Sequence, residues 1–273
     1  MDELAKFNRD RWNELSANGL IYSRPWTDLT KEEASNRIDP QKMLGDVTDK
    51  EVLLLAGSAG QQSVAFAMLG ARVTVFDLSE AQLEKDRQSA KHHGFSVQTR
   101  QGDMRDLSIF PESSFDLVWH AHSLSFVPNA AQVIDQVSHV IRPKGLYRLY
   151  CTNPFVQDLH DEWNGEGYVL KRPYIDGEME IADPYWEFDT PEGKTVRVKG
   201  PREFKHTLST IINSLVSAGF VILGFWEETA EHPCAEEGSW PHFKSVAPPW
   251  MIFVSRLDPV VLDNRQKKGN KVG

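Results

Sequence analysis

Short apolar runs and amphipathic segments alternate through the middle of the chain. Between residues 51 and 153, short apolar or β-branched runs predict strands, and runs with helical spacing predict helices. EVLLLAG is continuously apolar, which is typical of a strand buried on both faces of a sheet. The predicted strands are EVLLLAG, ARVTVFDLS, FSVQTRQGD, SSFDLVWHAHS and LYRLYCTNP, and the predicted helices are GQQSVAFAMLG, SEAQLEKDRQSAKHHG and NAAQVIDQVSHVIRPKG. This alternation predicts an α/β fold with a parallel, doubly wound sheet and right-handed crossovers.

The flanks of this region have different patterns. Residues 1–20 predict an amphipathic helix, followed by the loop LIYSRPWTDL and a short helical segment. Residues 153–201 are rich in Trp, Tyr, Pro and Gly without a clear period, so they are interpreted as an insertion. A helix in REFKHTLSTIINSLVSAGF and the strands VILGFWEE and PPWMIFVSRL follow. We therefore predict one domain over 1–258, with an N-terminal helical lid at 1–45, a substrate-side insertion at 153–201 and a flexible tail at 259–273.

Composition and charge narrow the possible partners. The chain has 273 residues and a formal net charge of −9, which argues against a nucleic-acid partner. No apolar run is long enough to cross a bilayer, and the N-terminus lacks an apolar signal core. Cys151 and Cys234 lie far apart and form no metal-ligand spacing, so we expect a reduced, cytoplasmic protein without a metal site. We expect a monomer or a homodimer.

The stretch LAGSAGQQS, after the first predicted strand, is a candidate ligand-binding turn. Gly57 and Gly60 allow backbone to approach a ligand closely, and the helix that begins at Gly60 directs free N–H groups towards it. Asp77 ends the second strand about 20 residues later, the spacing at which a carboxylate accepts ribose hydroxyl groups. The pattern predicts a nucleotide-like cofactor. The alternative, that the glycines are only turn residues, leaves Asp77 unexplained.

The segment QGDMRDL, after the third strand, extends this site. Asp103 lies where an acid can accept from an adenine amino group, and Met104 where a side chain can pack on the base. The alternative for Asp103 is an N-cap on the following turn. The order of Gly57, Gly60, Asp77 and Asp103 favours adenine.

These motifs resemble those of class I S-adenosylmethionine-dependent methyltransferases of the small-molecule type. VLLLAGSAG stands where that family usually reads VLDLGCGTG, so Leu54 replaces an acid, and Ala56 and Ser58 replace glycines, while Gly60 is kept. FDLVWHAHSLSFVPNAAQVIDQVSHVIRPKGLY is similar to the family's fourth strand, following helix and fifth strand, with Leu146 in place of the second glycine. The resemblance implies a Rossmann-like fold whose mostly parallel sheet has seven strands, with N-terminal helices and an aromatic-rich insertion after the fifth strand.

The resemblance also implies a cofactor and its contacts. S-adenosylmethionine (SAM) would be the methyl donor and S-adenosylhomocysteine (SAH) the product. The implied contacts are Ala56, Gly57, Ser58 and Gly60 to the methionine part, Gln61 or Gln62 to the carboxylate or ribose, Asp77 to the ribose, Leu78, Gly102, Asp103 and Met104 around the adenine, and His120 near the sulfonium. In the N-terminal loop, Arg24 is expected to pair with the cofactor carboxylate and Tyr22 to close over the methionine end; the alternative is a packed surface loop.

On the acceptor side, histidines are the candidate general bases, since histidine titrates near neutral pH. We expect His206 and His120 to be catalytic, with His122 a further candidate; the alternative is that each packs in the core. The aromatic side chains of the insertion are expected to form a lid over the substrate, or to pack the insertion onto the sheet. They are Trp163, Tyr168, Tyr174, Tyr185, Trp186 and Phe188.

The predicted function is transfer of a methyl group to an oxygen or nitrogen of a small-molecule acceptor. One rival is an NAD(P)-dependent oxidoreductase, which requires a G-x-G-x-x-G turn; Gly57 and Gly60 are one residue out of step with it. The other rival is a protein that binds SAM without catalysis, because the first motif departs from the usual one.

Overall fold

The computed structural model describes residues 1–57, 59–157, 159–230 and 234–261. Within these residues the helices are α1 (Glu3–Ala17), α2 (Lys31–Ile38), α3 (Gln62–Met68), α4 (Glu80–His92), α5 (Ala130–Val140), α6 (Leu208–Ser217) and α7 (Trp240–Val246). The strands are β1 (Glu51–Leu55), β2 (Arg72–Asp77), β3 (Gln98–Gln101), β4 (Phe115–His120), β5 (Ile141–Thr152), β6 (Gly177–Glu178), β7 (Tyr185–Asp189), β8 (Thr195–Lys199), β9 (Phe204–Lys205), β10 (Phe220–Glu227) and β11 (Trp250–Leu257). None of the helices described is long and apolar enough to cross a membrane.

The central sheet has seven strands in the order β10-β11-β5-β4-β1-β2-β3. β5, β4, β1, β2 and β3 run parallel to one another, and β11 runs antiparallel to both β5 and β10. The chain leaves β1 towards β2 and β3, then returns to the other side at β4, so strand order reverses between β1 and β4. The predicted fold class is confirmed.

Both faces of the sheet are covered, as the continuously apolar first strand predicts. Leu53 and Leu55 of β1 pack in one core with side chains of α5 and α6. Val52 and Leu54 pack in a second core with side chains of α2, α3 and α4. Successive residues of a strand point to opposite faces, so a strand between two helical layers must be apolar at every position.

Several boundaries differ from the predicted ones. The helix predicted from residue 202 begins only at Leu208, because Phe204–Lys205 pairs as β9 with β6 and the Thr207 side chain caps the helix by accepting from Thr210 N. β5 begins directly after α5, so the Pro-Lys-Gly segment belongs to the strand. Helix α7 has no counterpart among the predicted elements.

The insertion forms local antiparallel strand pairs. β7 pairs with β8, and β6 with β9. Trp186 and Val198 of this hairpin pack with Leu15 and Trp12 of α1. The insertion therefore meets the N-terminal helix on the side where the parallel strands end. The single domain and the lid remain predictions; of the predicted tail, residues 262–273 lie outside the described residues.

Candidate functional site

A cavity of about 450 Å³ lies at the carboxyl ends of the parallel strands, where strand order reverses. Open α/β sheets bind ligands at this position because the loops on either side of the reversal diverge. α1 covers the cavity with Leu4, Asn8 and Trp12. Asn8 is fixed there, since its amide donates to Phe126 O at 3.1 Å and its oxygen accepts from Arg202 N at 2.9 Å.

We name two parts of the lining. The glycine half follows β1, β2 and β3 and consists of Ala56, Gly57, Asp77, Leu78, Gly102, Asp103 and Met104. The aromatic half lies at the ends of β4, β5 and β10 and the start of β11 and consists of Trp119, His122, Tyr150, Glu228 and Trp250.

The turn after β1 packs tightly against β2. A Cβ atom at Gly57 would lie 2.6 Å from Val75 Cγ1, so glycine is needed there. Ala56 has a positive φ of 54° and donates its N–H to Phe76 O at 2.9 Å. Ala56 and Gly57 line the cavity, as predicted. Ser58 lies outside the described residues.

Gly60 stabilises the turn through hydrogen bonds to α4. Its N–H donates to Asp86 Oδ1 at 2.8 Å, and its carbonyl accepts from Ser89 Oγ at 3.2 Å. Its φ is 87°, and a Cβ atom would lie 2.5 Å from Ser89 Cβ. Gly60 is not among the lining residues, and both of its backbone polar groups are bound by α4, which shapes the turn.

Asp77 lies at the end of β2, with its carboxylate at the cavity wall. Its Oδ1 accepts from Ser79 N at 2.7 Å. Burial raises the pKa of Asp77 to about 8, against the lowering effect of that hydrogen bond. Gly102, after β3, permits close packing on Phe76, whose ring would lie 2.2 Å from a Cβ atom there.

Asp103 is bound by a residue that the sequence did not single out. Arg105 Nε donates to both Asp103 oxygens, at 3.1 and 3.0 Å. The same guanidinium donates to both oxygens of Asp2, each at 2.9 Å, and Asp2 caps α1 by accepting from Ala5 N. Arg105 therefore ties the start of α1 to the glycine half. Asp103 and Met104 remain in the lining, beside this ion pair.

The N-terminal loop reaches the cavity through Tyr22, one of its two predicted contacts. Tyr22 lines it, and so does Gln61, whose Nε2 donates to Arg24 O at 2.8 Å and Ile21 O at 3.3 Å. Gln62 also lines it. Arg24 does not: its guanidinium donates to Gly19 O at 2.7 Å and to Asp189 O, which directs it towards the insertion.

His120, predicted to be catalytic, is a core residue outside the cavity lining. Its Nδ1 lies 2.9 Å from the Tyr147 hydroxyl and its Nε2 2.9 Å from Ser123 Oγ, so both ring nitrogens have partners. Burial lowers the pKa of His120 to about 3.

His206, the other predicted catalytic histidine, is also buried outside the lining. Its Nε2–H donates to Leu124 O at 3.1 Å and Val127 O at 2.9 Å. The structure thus brings neither predicted catalytic histidine to the cavity, because each satisfies polar groups in the core. His122 lines the cavity instead, with Nε2 2.8 Å from Thr152 Oγ1; burial lowers its pKa to about 4.

The aromatic half was largely missed from the sequence. The ring of His122 lies 5.6 Å from that of Tyr150 and 6.1 Å from that of Trp250, measured between centroids. Tyr150 donates its hydroxyl to Glu228 Oε2 at 2.8 Å. Of the six insertion aromatics expected in a lid, Trp186 lines the cavity. Strand direction is the sequence signal that could have located these residues. Because β11 is antiparallel to β5, its first residue lies at the same edge of the sheet as the last residues of β5.

The comparisons with known proteins agree with this architecture. A sequence profile described as "Methyltransferase domain" matches residues 53–149. The chain is 34 % identical over 241 residues to the uncharacterized methyltransferase YbaJ of Bacillus subtilis (strain 168), covering 84 % of this chain and 92 % of that protein. It is 28 % identical over 171 residues to a glycine/sarcosine/dimethylglycine N-methyltransferase of Actinopolyspora halophila, covering 60 % of this chain and 29 % of that protein.

Among solved structures, the fold is similar to that of geranyl diphosphate C-methyltransferase from Streptomyces coelicolor A3(2), determined with Mg²⁺, geranyl diphosphate and SAH. The TM-score is 0.59 at 12 % sequence identity, covering 94 % of this chain and 98 % of that chain. Together with the profile and the YbaJ similarity, this defines the class of protein. The chain belongs to the class I SAM-dependent methyltransferases; it is a methyltransferase, and its cofactor is SAM.

Proposed function

We propose that this methyltransferase acts on an oxygen or nitrogen atom of a small organic acceptor. The observation that carries the proposal is the continuous cavity of about 450 Å³ that joins the glycine half to the aromatic half. Pockets for small ligands usually enclose about 300–1,000 Å³. An acceptor in the aromatic half would share one enclosed space with a cofactor in the glycine half.

The glycine half fits the cofactor. Gly57 leaves backbone exposed at the cavity wall, where a side chain would collide with β2. Asp77 uses one oxygen for Ser79 N and faces the cavity, so we assign it to the ribose hydroxyl groups. Leu78 and Met104 are assigned to the adenine. Arg24, Gly60, His120 and His206 have no assigned contact, because the cavity lining does not include them.

When bound, SAM supplies a methyl group on a cationic sulfur. A lone pair of the acceptor would bond to the methyl carbon in line with the carbon–sulfur bond, and the sulfur would leave as SAH. The chain contributes positioning and exclusion of water. α1 closes the cavity from above through Leu4 and Trp12. We assign to His122 a hydrogen bond that orients the acceptor, because its imidazole is in the lining and burial, which lowers its pKa to about 4, keeps it neutral.

A small acceptor is further supported by charge and enclosure. The net charge of −9 opposes a nucleic-acid acceptor, and α1 covers the cavity. A nitrogen acceptor is supported by the name of the Actinopolyspora halophila relative, an N-methyltransferase. The free cysteines Cys151 and Cys234 support a reducing, cytoplasmic compartment.

Two measurements test the proposal. Calorimetry should detect binding of SAM and SAH. Release of SAH should then be followed with a panel of small phenols, carboxylates, thiols and amines, using wild type and His122→Asn. We expect turnover with a phenol or amine, and a lower kcat without a change in SAH affinity in the variant. SAH binding without turnover of any acceptor would contradict the proposal.

A further inference from the structure

Aromatic rings lie together along one end of the cavity. Trp119, His122, Tyr150 and Trp250 all line it, and the centroids of the last three lie 5.6–6.1 Å apart. The negative face of an aromatic ring attracts a cation placed within about 6 Å of its centroid. A group of three or more such rings around one space is suited to an organic ammonium group.

The chain itself places a cation against two of these rings. The guanidinium carbon of Arg148 lies 4.6 Å from the centroid of Trp119 and 5.9 Å from that of Tyr150. Arg148 is only 4 % exposed and does not line the cavity, whereas Trp119 and Tyr150 do. Trp119 and Tyr150 therefore already contact a cation that lies outside the cavity lining, and both rings also line the cavity.

A carboxylate is fixed beside the rings. Glu228 Oε2 accepts the Tyr150 hydroxyl at 2.8 Å, and Glu228 N donates to Trp250 O at 2.9 Å, so side chain and backbone are both held. Its neighbour Glu227 is exposed and outside the lining. Glu228 thus offers a negative charge at a defined position of the aromatic half.

The remaining charges of the lining favour a cation over an anion. Glu203 is a further acid in the lining, besides Glu228, Asp77 and Asp103. Among the lining residues that the structure describes, the arginine is Arg105, whose guanidinium is already bound by Asp103 and Asp2. A carboxylate or phosphate on the acceptor would face these acids, whereas Arg148, the cation beside the aromatic half, lies behind Trp119 and Tyr150 and outside the lining.

We propose that the aromatic half binds an organic ammonium group, held by Trp119, Tyr150 and Trp250 and by the Glu228 carboxylate. Resting on the proposed function, this makes the methyl acceptor a small amine with an apolar body, not a phenol or an organic acid. The amine binds as its ammonium ion and must pass one N–H proton to the Glu228 carboxylate before its nitrogen lone pair bonds to the methyl carbon and SAH leaves. The rings supply affinity for the cation, and Glu228 discriminates against neutral molecules of the same shape.

The test compares choline with 3,3-dimethyl-1-butanol, a neutral molecule of the same shape, by calorimetry on the protein alone and saturated with SAH. We expect choline to bind at least tenfold more tightly than the alcohol in both states. Glu228→Gln and Trp250→Leu should each weaken choline at least fivefold without changing SAH affinity. Glu227→Gln, the matched control, should leave both affinities unchanged. Near-UV circular dichroism checks that each variant is folded.

The outcomes separate the two proposals. Equal binding of choline and the alcohol, or no effect of Glu228→Gln, would overturn the inference. Displacement of choline by SAH would also overturn it, because the cation would then occupy the cofactor's place. Absence of SAH binding would instead contradict the proposed function, while the choline comparison on the protein alone still decides whether an ammonium site exists.

Discussion

The two halves of the cavity share one sheet edge but are built differently. The glycine half comes from residues 56–104, consecutive turns of one alternating segment, and depends on small residues and backbone close to the ligand. The aromatic half gathers residues 119–250 from four strands, and depends on large rings and a fixed acid. Local turns therefore define the proposed cofactor side, and long-range sheet topology defines the proposed acceptor side.

The largest expected effect tests the glycine half. In Gly57→Val the new Cβ would lie 2.6 Å from Val75 Cγ1, so the turn must move away from β2. We expect SAH affinity to fall at least a hundredfold by calorimetry. Gly167→Val is the control, because no atom lies within 4 Å of its new Cβ. Equal SAH binding by the two variants would show that the turn does not form the cofactor site.

Loss of the carboxylate at Asp77 should have the next largest effect. Hydrogen bonds to a charged group contribute about 1.5–3 kcal/mol each, so at pH 9, where Asp77 is ionised, Asp77→Asn should weaken SAH about 10–100-fold. Choline affinity should stay unchanged, since Asp77 lies in the other half. Asp135→Asn, an exposed acid on α5, is the control. A larger loss for choline than for SAH would reverse the assignment of the halves.

The raised pKa of Asp77 makes cofactor affinity depend on pH. With a pKa of about 8 in the free protein, Asp77 is mostly protonated at pH 6 and ionised at pH 9. Ribose hydroxyl groups donate best to the carboxylate, so SAH affinity should rise as pH increases through about 8. Calorimetry at several pH values should give a flatter profile for Asp77→Asn. A wild-type profile that falls over this range would contradict the assignment.

A moderate effect is expected from the aromatic half. Tyr150→Phe keeps the ring but removes the 2.8 Å hydrogen bond that holds Glu228. Loss of a hydrogen bond between a neutral hydroxyl and a charged carboxylate should reduce choline affinity three- to tenfold. SAH affinity should stay within about twofold of wild type. Tyr185→Phe, an exposed tyrosine outside the lining, is the control. A larger loss for SAH would mean that the two halves are not separate.

The smallest expected effect is a small loss of stability that lowers SAH affinity and choline affinity equally. Arg105→Gln removes the ion pairs to Asp2 and Asp103, and Asp2 is partly exposed, so the loss of stability should be about 1 kcal/mol or less. A fall in Tm of about 2–4 °C follows for a chain of this size. Because α1 contributes Leu4, Asn8 and Trp12 to the cavity lining, SAH and choline should weaken to a similar degree. A loss confined to choline would show that Arg105 does not act through α1.

The same contrast explains what the sequence could predict. Gly57, Asp77, Gly102 and Met104 lie at or just after the ends of strands, so strand alternation, motif spacing and the family resemblance together placed them at the cavity. Tyr150 and Trp250 meet only because β11 pairs antiparallel with β5, a long-range pairing that no local pattern encodes. His206 was assigned to the site by analogy, but two backbone carbonyls needed its N–H in the core.

The contacts behind the glycine turn have a consequence for protein engineering. Asp86 and Ser89, both on α4, hold the N–H and the carbonyl of Gly60, and the Asp86 carboxylate also accepts the Ser63 hydroxyl. The conformation of the loop therefore depends on α4, a helix that is separated from the loop in sequence by α3 and β2. Grafting LAGSAGQQS alone into another scaffold would not reproduce the loop conformation; a functional module must also include α4.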